Sequence, residues 1–345
     1  MPVVTVGLDL AKTVFQAHGV DEAGQTVLRR RLGRSELIAY FAKLPPCLIA
    51  MEACSSAHHW ARELGDLGHD VRLIPPHYVK PYVKRNKTDA ADAEAICEAA
   101  GRPSMRFVPI KTRDQQAVLV LHRSRSLLVR QRTASINAAW GLVGEFGLIA
   151  SKGRYRVSEL RQRMNAMASD QIPAIACQAI NTLFDHIDVL EEQIAAVERQ
   201  IVEWHRNNED SLRLATAPGV GPITASAIVA AVGEGRQFQS ARHFAAWLGL
   251  TPRMHASGKK ERIGRISKGG DRYLRALLIH GARAIVGTLF RKNVTPRPWL
   301  LALAARRPTN VAAVAVAHKT ARALWAMLTR GEKYRRPVAA TPSAA

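Results

Sequence analysis

Residues 3–10 read Val-Val-Thr-Val-Gly-Leu-Asp-Leu, a nearly continuous apolar run rich in β-branched side chains. Such a run predicts a strand buried on both faces in the middle of a sheet. Asp9 interrupts it near its end, and a carboxylate there is costly unless it serves a site. Two further strands are predicted over 14–20 and 25–32, turning through Asp21-Glu22-Ala23-Gly24. Ser35 is expected to cap a helix that runs through Lys43 and stops at Pro45-Pro46. Cys47 to Met51 is another buried strand, with Glu52 directly after it. A helix around 57–67, a strand at 70–74 and Pro75-Pro76 follow. The order of three strands, helix, strand, helix, strand, helix predicts an open α/β sheet, whose strand ends are where ligands bind.

The next helix opens in Lys87-Thr88-Asp89-Ala90-Ala91-Asp92-Ala93-Glu94-Ala95-Ile96, with Thr88 or Asp89 at its N-cap and alanine-rich turns behind. Asp89 and Asp92 are three residues apart and share a helix face. Adjacent carboxylates repel unless a cation lies between them, and a hard ion such as Mg2+ suits oxygen ligands. Alternatively, they are acids favoured by the helix macrodipole. With Asp9 and Glu52 at strand ends, four carboxylates could meet and form a two-metal phosphoryl-transfer site. This order, Asp–Glu–Asp–Asp, resembles the ribonuclease-H-like core of the RuvC resolvases. Gly7-Leu8-Asp9-Leu10-Ala11-Lys12 also looks like the first phosphate loop of actin-like ATPases and sugar kinases. The second phosphate loop and adenosine motif of those proteins are missing, so that reading is weak.

The chain has 50 Lys+Arg against 28 Asp+Glu, a net charge of +22 in 345 residues, which points to a polyanionic partner. Residues 1–100 balance 12 basic against 12 acidic side chains. Residues 101–165 carry 13 and 3, a net of +10, and residues 166–210 carry 2 and 9, a net of −7. Residues 211–345 carry 23 and 4, a net of +19. Cys47, Cys54, Cys97 and Cys177 lack CxxC spacing and are expected as reduced core residues of a cytoplasmic protein. No signal peptide is expected, and the apolar stretch Val311 to Leu328 is too polar to span a membrane.

Residues 111–150 predict a long helix capped by Thr112 or Asp114, with Arg123, Arg125, Arg130 and Arg132 available to meet phosphate. Residues 171–208 predict a second one with coiled-coil-like apolar steps, suited to pairing with the first helix or with another subunit. Ala217-Pro218-Gly219-Val220-Gly221-Pro222 looks like the turn of a helix-hairpin-helix module, with Gly219 and Gly221 leaving backbone N–H groups for phosphate. A plain helix–helix turn is the bland reading. From His255 a glycine-rich basic loop, which is expected to open into a helix at about Asp271, holds two candidate nucleophiles, Ser257 and Ser267. A serine there is usually a turn residue; as a nucleophile it needs the phosphate charge neutralised by surrounding cations.

The N-terminal Asp…Glu…Lys-Thr-Asp-Ala-Ala-Asp-Ala pattern, Pro-Gly-Val-Gly-Pro-Ile-Thr-Ala, and Gly-Leu-Thr-Pro…Ser-Gly…Ile-Ser-Lys-Gly-Gly…Leu-Arg together resemble the DEDD transposases of bacterial insertion sequences, the IS110 family. The ending Arg306-Arg307-Pro308…Asn310-Val311-Ala312-Ala313 resembles its IS1111 branch. The resemblance covers residues 3 to 330. It implies a RuvC-like α/β domain (1–110), a helical coiled-coil segment (111–208) and a mainly α transposase domain (209–336); residues 337–345, by their own composition, are expected to be a disordered tail. It also implies a recombinase whose catalytic residues are Asp9, Glu52, Asp89, Asp92 and Ser257, the four acids holding Mg2+ or Mn2+. Ser257 would form a phosphoserine link to DNA; Ser267 matches less well. The implied partners are donor and target DNA, a structured non-coding bridge RNA and further copies of the chain, as dimer or tetramer. The implied location is the bacterial cytoplasm and nucleoid. Lys12, Lys87, Arg123, Arg130, Gly219, Gly221, Lys259, Lys260, Arg262 and Arg265 are expected to contact nucleic acid. The alternatives are a RuvC-like junction-resolving nuclease that uses the carboxylates alone, and a non-enzymatic nucleic-acid binder.

Overall fold

A computed structural model describes residues 2–84, 88–151, 153–167, 171–257, 260–289 and 298–335. The chain divides into two compact units, Met1–Thr112 and Arg113–Ala345. The first unit is a mixed α/β domain consistent with a RuvC-like fold. Strands β1 (Thr5–Asp9), β2 (Val14–Val20), β3 (Thr26–Gly33), β4 (Leu48–Glu52) and β5 (Asp70–Ile74) form one sheet in the order β3-β2-β1-β4-β5. β1 runs antiparallel to β2 and parallel to β4, and β4 runs parallel to β5. The β1 run is therefore central, as its sequence predicts, with Val6 and Leu8 fully buried.

Helices cover both faces. On one, α1 (Leu37–Phe41) and α2 (Ala57–Asp66) pack Phe41, Trp60 and Leu64 against Leu8, Phe15 and Met51. Phe15 and Trp60 meet edge to face with ring centroids 5.3 Å apart. On the other, α3 (Pro76–Val79) and α4 (Asp89–Ala100) pack Val79, Ala95, Ile96 and Ala99 against Ala50 and Ile74. The cap of α1 differs from the sequence expectation. Its N-cap is Glu36, not Ser35, and the Glu36 carboxylate instead accepts from the Gly33 N–H at 2.7 Å. A side chain spent on closing the strand end is unavailable to the helix.

Gly7 sets how closely α4 approaches. A Cβ at this position would lie 2.2 Å from the Ala93 carbonyl oxygen and 2.4 Å from the Cys97 nitrogen. The helix backbone thus rests directly on β1, a separation that only glycine allows.

The second unit is helical. α5 (Arg113–Gly144) and α7 (Ala174–Arg206) pack side by side, with α6 (Val157–Asn165) closing a small core of Val143, Leu160, Met164, Ile180 and Phe184 at one end. α8 (Glu209–Leu214), α9 (Pro222–Val232), α10 (Ala241–Trp247), α11 (Arg272–Gly287), α12 (Pro298–Arg306) and α13 (Thr309–Arg330) build the larger core around Ile228, Phe244, Leu278 and Leu324. The basic segment expected as a loop is a two-stranded antiparallel ribbon, β6 (Pro252–Ser257) and β7 (Lys260–Ile266).

The arginines of α5 split between two roles. Arg125 pairs with Glu198 at 2.6 Å and Arg132 with Glu191 at 3.6 Å, a seven-residue step on both helices. These two bind α7 to α5 instead of facing phosphate, whereas Arg123 and Arg130 are exposed. The Arg125 charge also acts on the Tyr273 hydroxyl.

That hydroxyl begins a buried polar chain. Tyr273 donates to His122 Nδ1 (3.0 Å), His122 Nε2–H donates to Ser226 Oγ (3.1 Å), and Ser226 donates to the Pro222 carbonyl (2.6 Å). Because the Ser226 proton is taken by Pro222, His122 Nε2 must be the donor to Ser226, and in a neutral ring Nδ1 is then left to accept from Tyr273. Burial, assisted by the Arg125 charge, pushes the His122 pKa down to about 4.

Two expectations follow from these packings. Gly7→Ala should lower unfolding stability by at least about 2 kcal/mol in urea melts, because both clashing atoms are backbone. In acid, the unfolded chain protonates His122 near pH 6.5 while the native chain resists until about 4. Stability therefore falls as pH drops through that window, and this residue alone contributes about 2 kcal/mol of loss between pH 7 and pH 5. Urea melts of His122→Gln should show an acid slope shallower by that amount.

Candidate active site

Strand alternation and the cover of α4 direct two acids to one face. Gly7 faces α4, so Asp9, two residues on, shares that face. Ala50 also packs under α4, so Glu52 at the end of β4 has the same sidedness. The parallel register pairs Leu8 with Met51, which leaves Asp9 and Glu52 at neighbouring strand ends.

α4 supplies the other two. Thr88 caps it by accepting from the Ala91 N–H at 3.2 Å, and Asp89 and Asp92 fall in its first turn. Asp9, Asp89 and Asp92 each offer a carboxylate oxygen within 4.8 Å of the others. Glu52 is not part of that closest set. Its charge nevertheless reaches the same corner: the Cys54 thiol is pushed up in pKa by desolvation and then by the charges of Glu52 and Asp9. Three carboxylates at this spacing, from a strand end and a helix start, form an all-oxygen donor set that fits a hard divalent cation. Asp89 is exposed and Asp9 half-buried, so the cluster opens to solvent on one side.

Around it, Lys12 is exposed in the β1–β2 connection, while Lys87 lies outside the described residues. Lys84, just before that stretch, pairs with Glu94 of α4 at 2.6 Å.

Ser257 is exposed at the end of β6, and its backbone pairs with that of Lys260. Two residues earlier on the same strand face, His255 pairs with Arg262, and Arg262 and Arg265 are both exposed. Lys259 lies outside the described residues, and Lys260 is described only by its backbone pairing. Ser267 sits at the root of the ribbon, where its Oγ accepts from the Gly269 N–H at 3.4 Å. Its side chain thus serves the turn.

The Pro218–Gly221 turn has a packing reason for one of its glycines. Gly219 has φ +74°, and a Cβ on Gly281 of α11 would lie 1.9 Å from the Gly219 carbonyl oxygen. The pair of glycines lets turn and helix touch backbone to backbone. Gly221 is the N-cap of α9, with open space where a Cβ would lie. The His122–Tyr273–Ser226 chain and the buried Arg275 escape sequence reading, since isolated polar residues inside apolar helices carry no pattern that pairs them.

Residues 6–145 match the DEDD transposases of IS110, and residues 211–294 match the family described as "Transposase IS116/IS110/IS902 family". The chain is 54% identical to the "Probable family 20 transposase" of Pseudomonas aeruginosa, over 96% of this chain and 98% of that protein. It is 42% identical to the "Transposase for insertion sequence element IS1111A" of Coxiella burnetii, over 96% and 91% of the two chains. It is 40% identical to the "Transposase for insertion sequence element IS1328" of Yersinia enterocolitica, over 96% and 98%. Among the described residues no helix is long and apolar enough to cross a membrane. The chain therefore belongs to the IS110/IS116 family of DEDD transposases, insertion-sequence enzymes that act on DNA and whose acidic set implies a divalent metal.

Proposed function

We propose that this transposase cuts and rejoins DNA through a covalent phosphoserine link on Ser257, with Mg2+ held by Asp9, Glu52, Asp89 and Asp92. The observation that carries the metal half is the meeting of Asp9, Asp89 and Asp92 oxygens within 4.8 Å. When bound, the ion supplies charge neutralisation at the phosphate. The remaining chemistry falls to the chain's own groups.

The Ser257 hydroxyl attacks a DNA phosphorus, forming a P–Oγ bond as the bond to one deoxyribose oxygen breaks. The hydroxyl proton passes to solvent at the exposed ribbon, and the departing sugar oxygen takes one up. Rejoining reverses these steps with the hydroxyl of a different strand, so bond count is conserved and no co-reactant is consumed. Arg262 and Arg265, with Lys259 and Lys260, hold and neutralise the phosphate, which a serine needs to react at an appreciable rate. Lys12, Lys87, Arg123 and Arg130 extend the cationic surface, and the turn at Gly219 and Gly221 grips backbone phosphate at the start of α9.

The IS110 resemblance extends the reading to a structured non-coding RNA that pairs with donor and target DNA. Support comes from the net +19 of residues 211–345, a surface suited to more than one polyanion. Exchange of several strands with one serine per chain calls for a dimer or tetramer.

The test is a denaturing gel for protein–DNA adducts. The reaction holds Mg2+, DNA with the element's ends and RNA transcribed from the flanking non-coding region. Wild type should form the adduct and Ser257→Ala none. Asp92→Asn should lower its formation by at least roughly a hundredfold, beyond the loss typical of outer-shell partners of a metal site. Cleaved DNA without adduct, at full rate in Ser257→Ala, would replace this reading with a junction nuclease that works through the carboxylates alone.

A further inference from the structure

The β6–β7 ribbon joins the helical unit at a single crossing of two chain segments. Gly249, entering, has φ +70°, and a Cβ on it would lie 2.3 Å from the Gly269 carbonyl oxygen. Gly270, leaving, has φ +65°, and its Cβ would lie 1.7 Å from the Trp247 carbonyl oxygen. Two backbone bonds tie the segments, Ser267 N–H to Thr251 O (2.8 Å) and Lys268 N–H to Gly249 O (3.2 Å).

Beneath the crossing lies Arg275, in the first turns of α11 and only 9% exposed. Its Nη1 donates to the Leu248 carbonyl on the entering segment (2.9 Å) and to the Gly269 carbonyl on the leaving one (2.6 Å). No carboxylate among the described residues pairs with it. A buried guanidinium that grips only carbonyls is an expensive way to fill space, which apolar side chains would fill at lower cost. What it adds is direction, because one rigid group ties both roots of the ribbon to one helix. One step further out, Arg253 donates to the Ser267 carbonyl at 2.9 and 3.3 Å and extends the clasp.

The geometry points to Arg275 as a positioning residue that sets the angle of the Ser257-bearing ribbon on the helical body. This inference rests on the reading of Ser257 as the nucleophile. The lever is long: the six residues of β6 span about 17 Å from root to serine. A tilt of ~10° at the root moves the tip by about 3 Å, well outside the tolerance of a preorganised site. Misplacement by about 1 Å already costs on the order of a hundredfold in rate. Phosphate binding by flexible cationic side chains is far more forgiving, so the clasp should affect reaction more than affinity.

The experiment compares wild type, Arg275→Met, Arg275→Lys and Ser257→Ala as full-length chains. A linear duplex with the element's ends, Mg2+ and the flanking transcript serve as probe. Four quantities are read: single-turnover adduct rate, duplex affinity, melting temperature and amide hydrogen exchange at Ser267 and Lys268. Arg275→Met should slow adduct formation at least tenfold with affinity within about threefold of wild type. Exchange at Ser267 and Lys268 should quicken at least tenfold. Arg275→Lys, which keeps a donor, should recover part of both, and it carries the test if the Met variant does not fold. A wild-type adduct rate in the folded Met variant, or equal losses of rate and affinity alongside melting, overturns the proposal. Full cleavage by Ser257→Ala sinks the nucleophile reading instead. The clasp then stands or falls on exchange at the ribbon root, and unchanged exchange overturns it.

Discussion

The contact of α4 with β1 across Gly7 is the constraint on which the acidic corner depends. Asp9 ends a strand, Asp89 and Asp92 begin a helix some eighty residues later in the chain, and nothing local links them. Their oxygens meet because helix backbone lies against strand backbone with no side chain between, at 2.2 Å from where a Cβ of residue 7 would be. Any larger residue at position 7 would lift the helix start and part the carboxylates. Three acids brought together repel one another unless a cation lies between them. The apolar packing of Ile96, Ala95 and Ala99 beneath the same helix holds it on the sheet.

A second set of close backbone approaches, Gly219 on Gly281 and, at the ribbon root, Gly249 on Gly269 and Gly270 on Trp247, does the same for the helical unit. Glycine serves in all three places as an absence of side chain. At Gly249 and Gly270 it also accommodates positive φ, so two demands fall on one residue. Both units thus use the same device: segments far apart in sequence are locked by backbone contact, and a polar group is carried at the end of the locked element.

The α/β unit was largely legible because its signals are local. β2 spans Val14–Val20 as expected of a strand ending at the Asp21–Gly24 turn, and Thr88 caps α4 as its position before an alanine-rich run suggests. The ribbon was not legible. Met254 and Ile263 face each other across it while 66% and 72% exposed, so no burial pattern marks the strands. Glycine and lysine content alone reads as loop. The cationic stripe on α5 misled for a related reason: composition reports charge, but only the fold shows that Arg125 and Arg132 turn inward to glutamates of α7. Carboxylate convergence was legible as a possibility of topology, whereas the looser standing of Glu52 depends on side-chain distances that topology does not set.

The inward pairing of Arg125 and Arg132 alters how the chain's basic side chains should be counted. An arginine already neutralised by a glutamate neutralises no phosphate, and so it displaces none of the counterions condensed on a nucleic acid. The salt sensitivity of nucleic-acid association comes from the cations that remain unmatched. Among the described residues, those without a carboxylate partner include the exposed Arg262 and Arg265 of the ribbon and Arg123 of α5. The count of 50 Lys+Arg therefore overstates the cations available to a polyanion, because Arg125 and Arg132 are already matched by glutamates of α7.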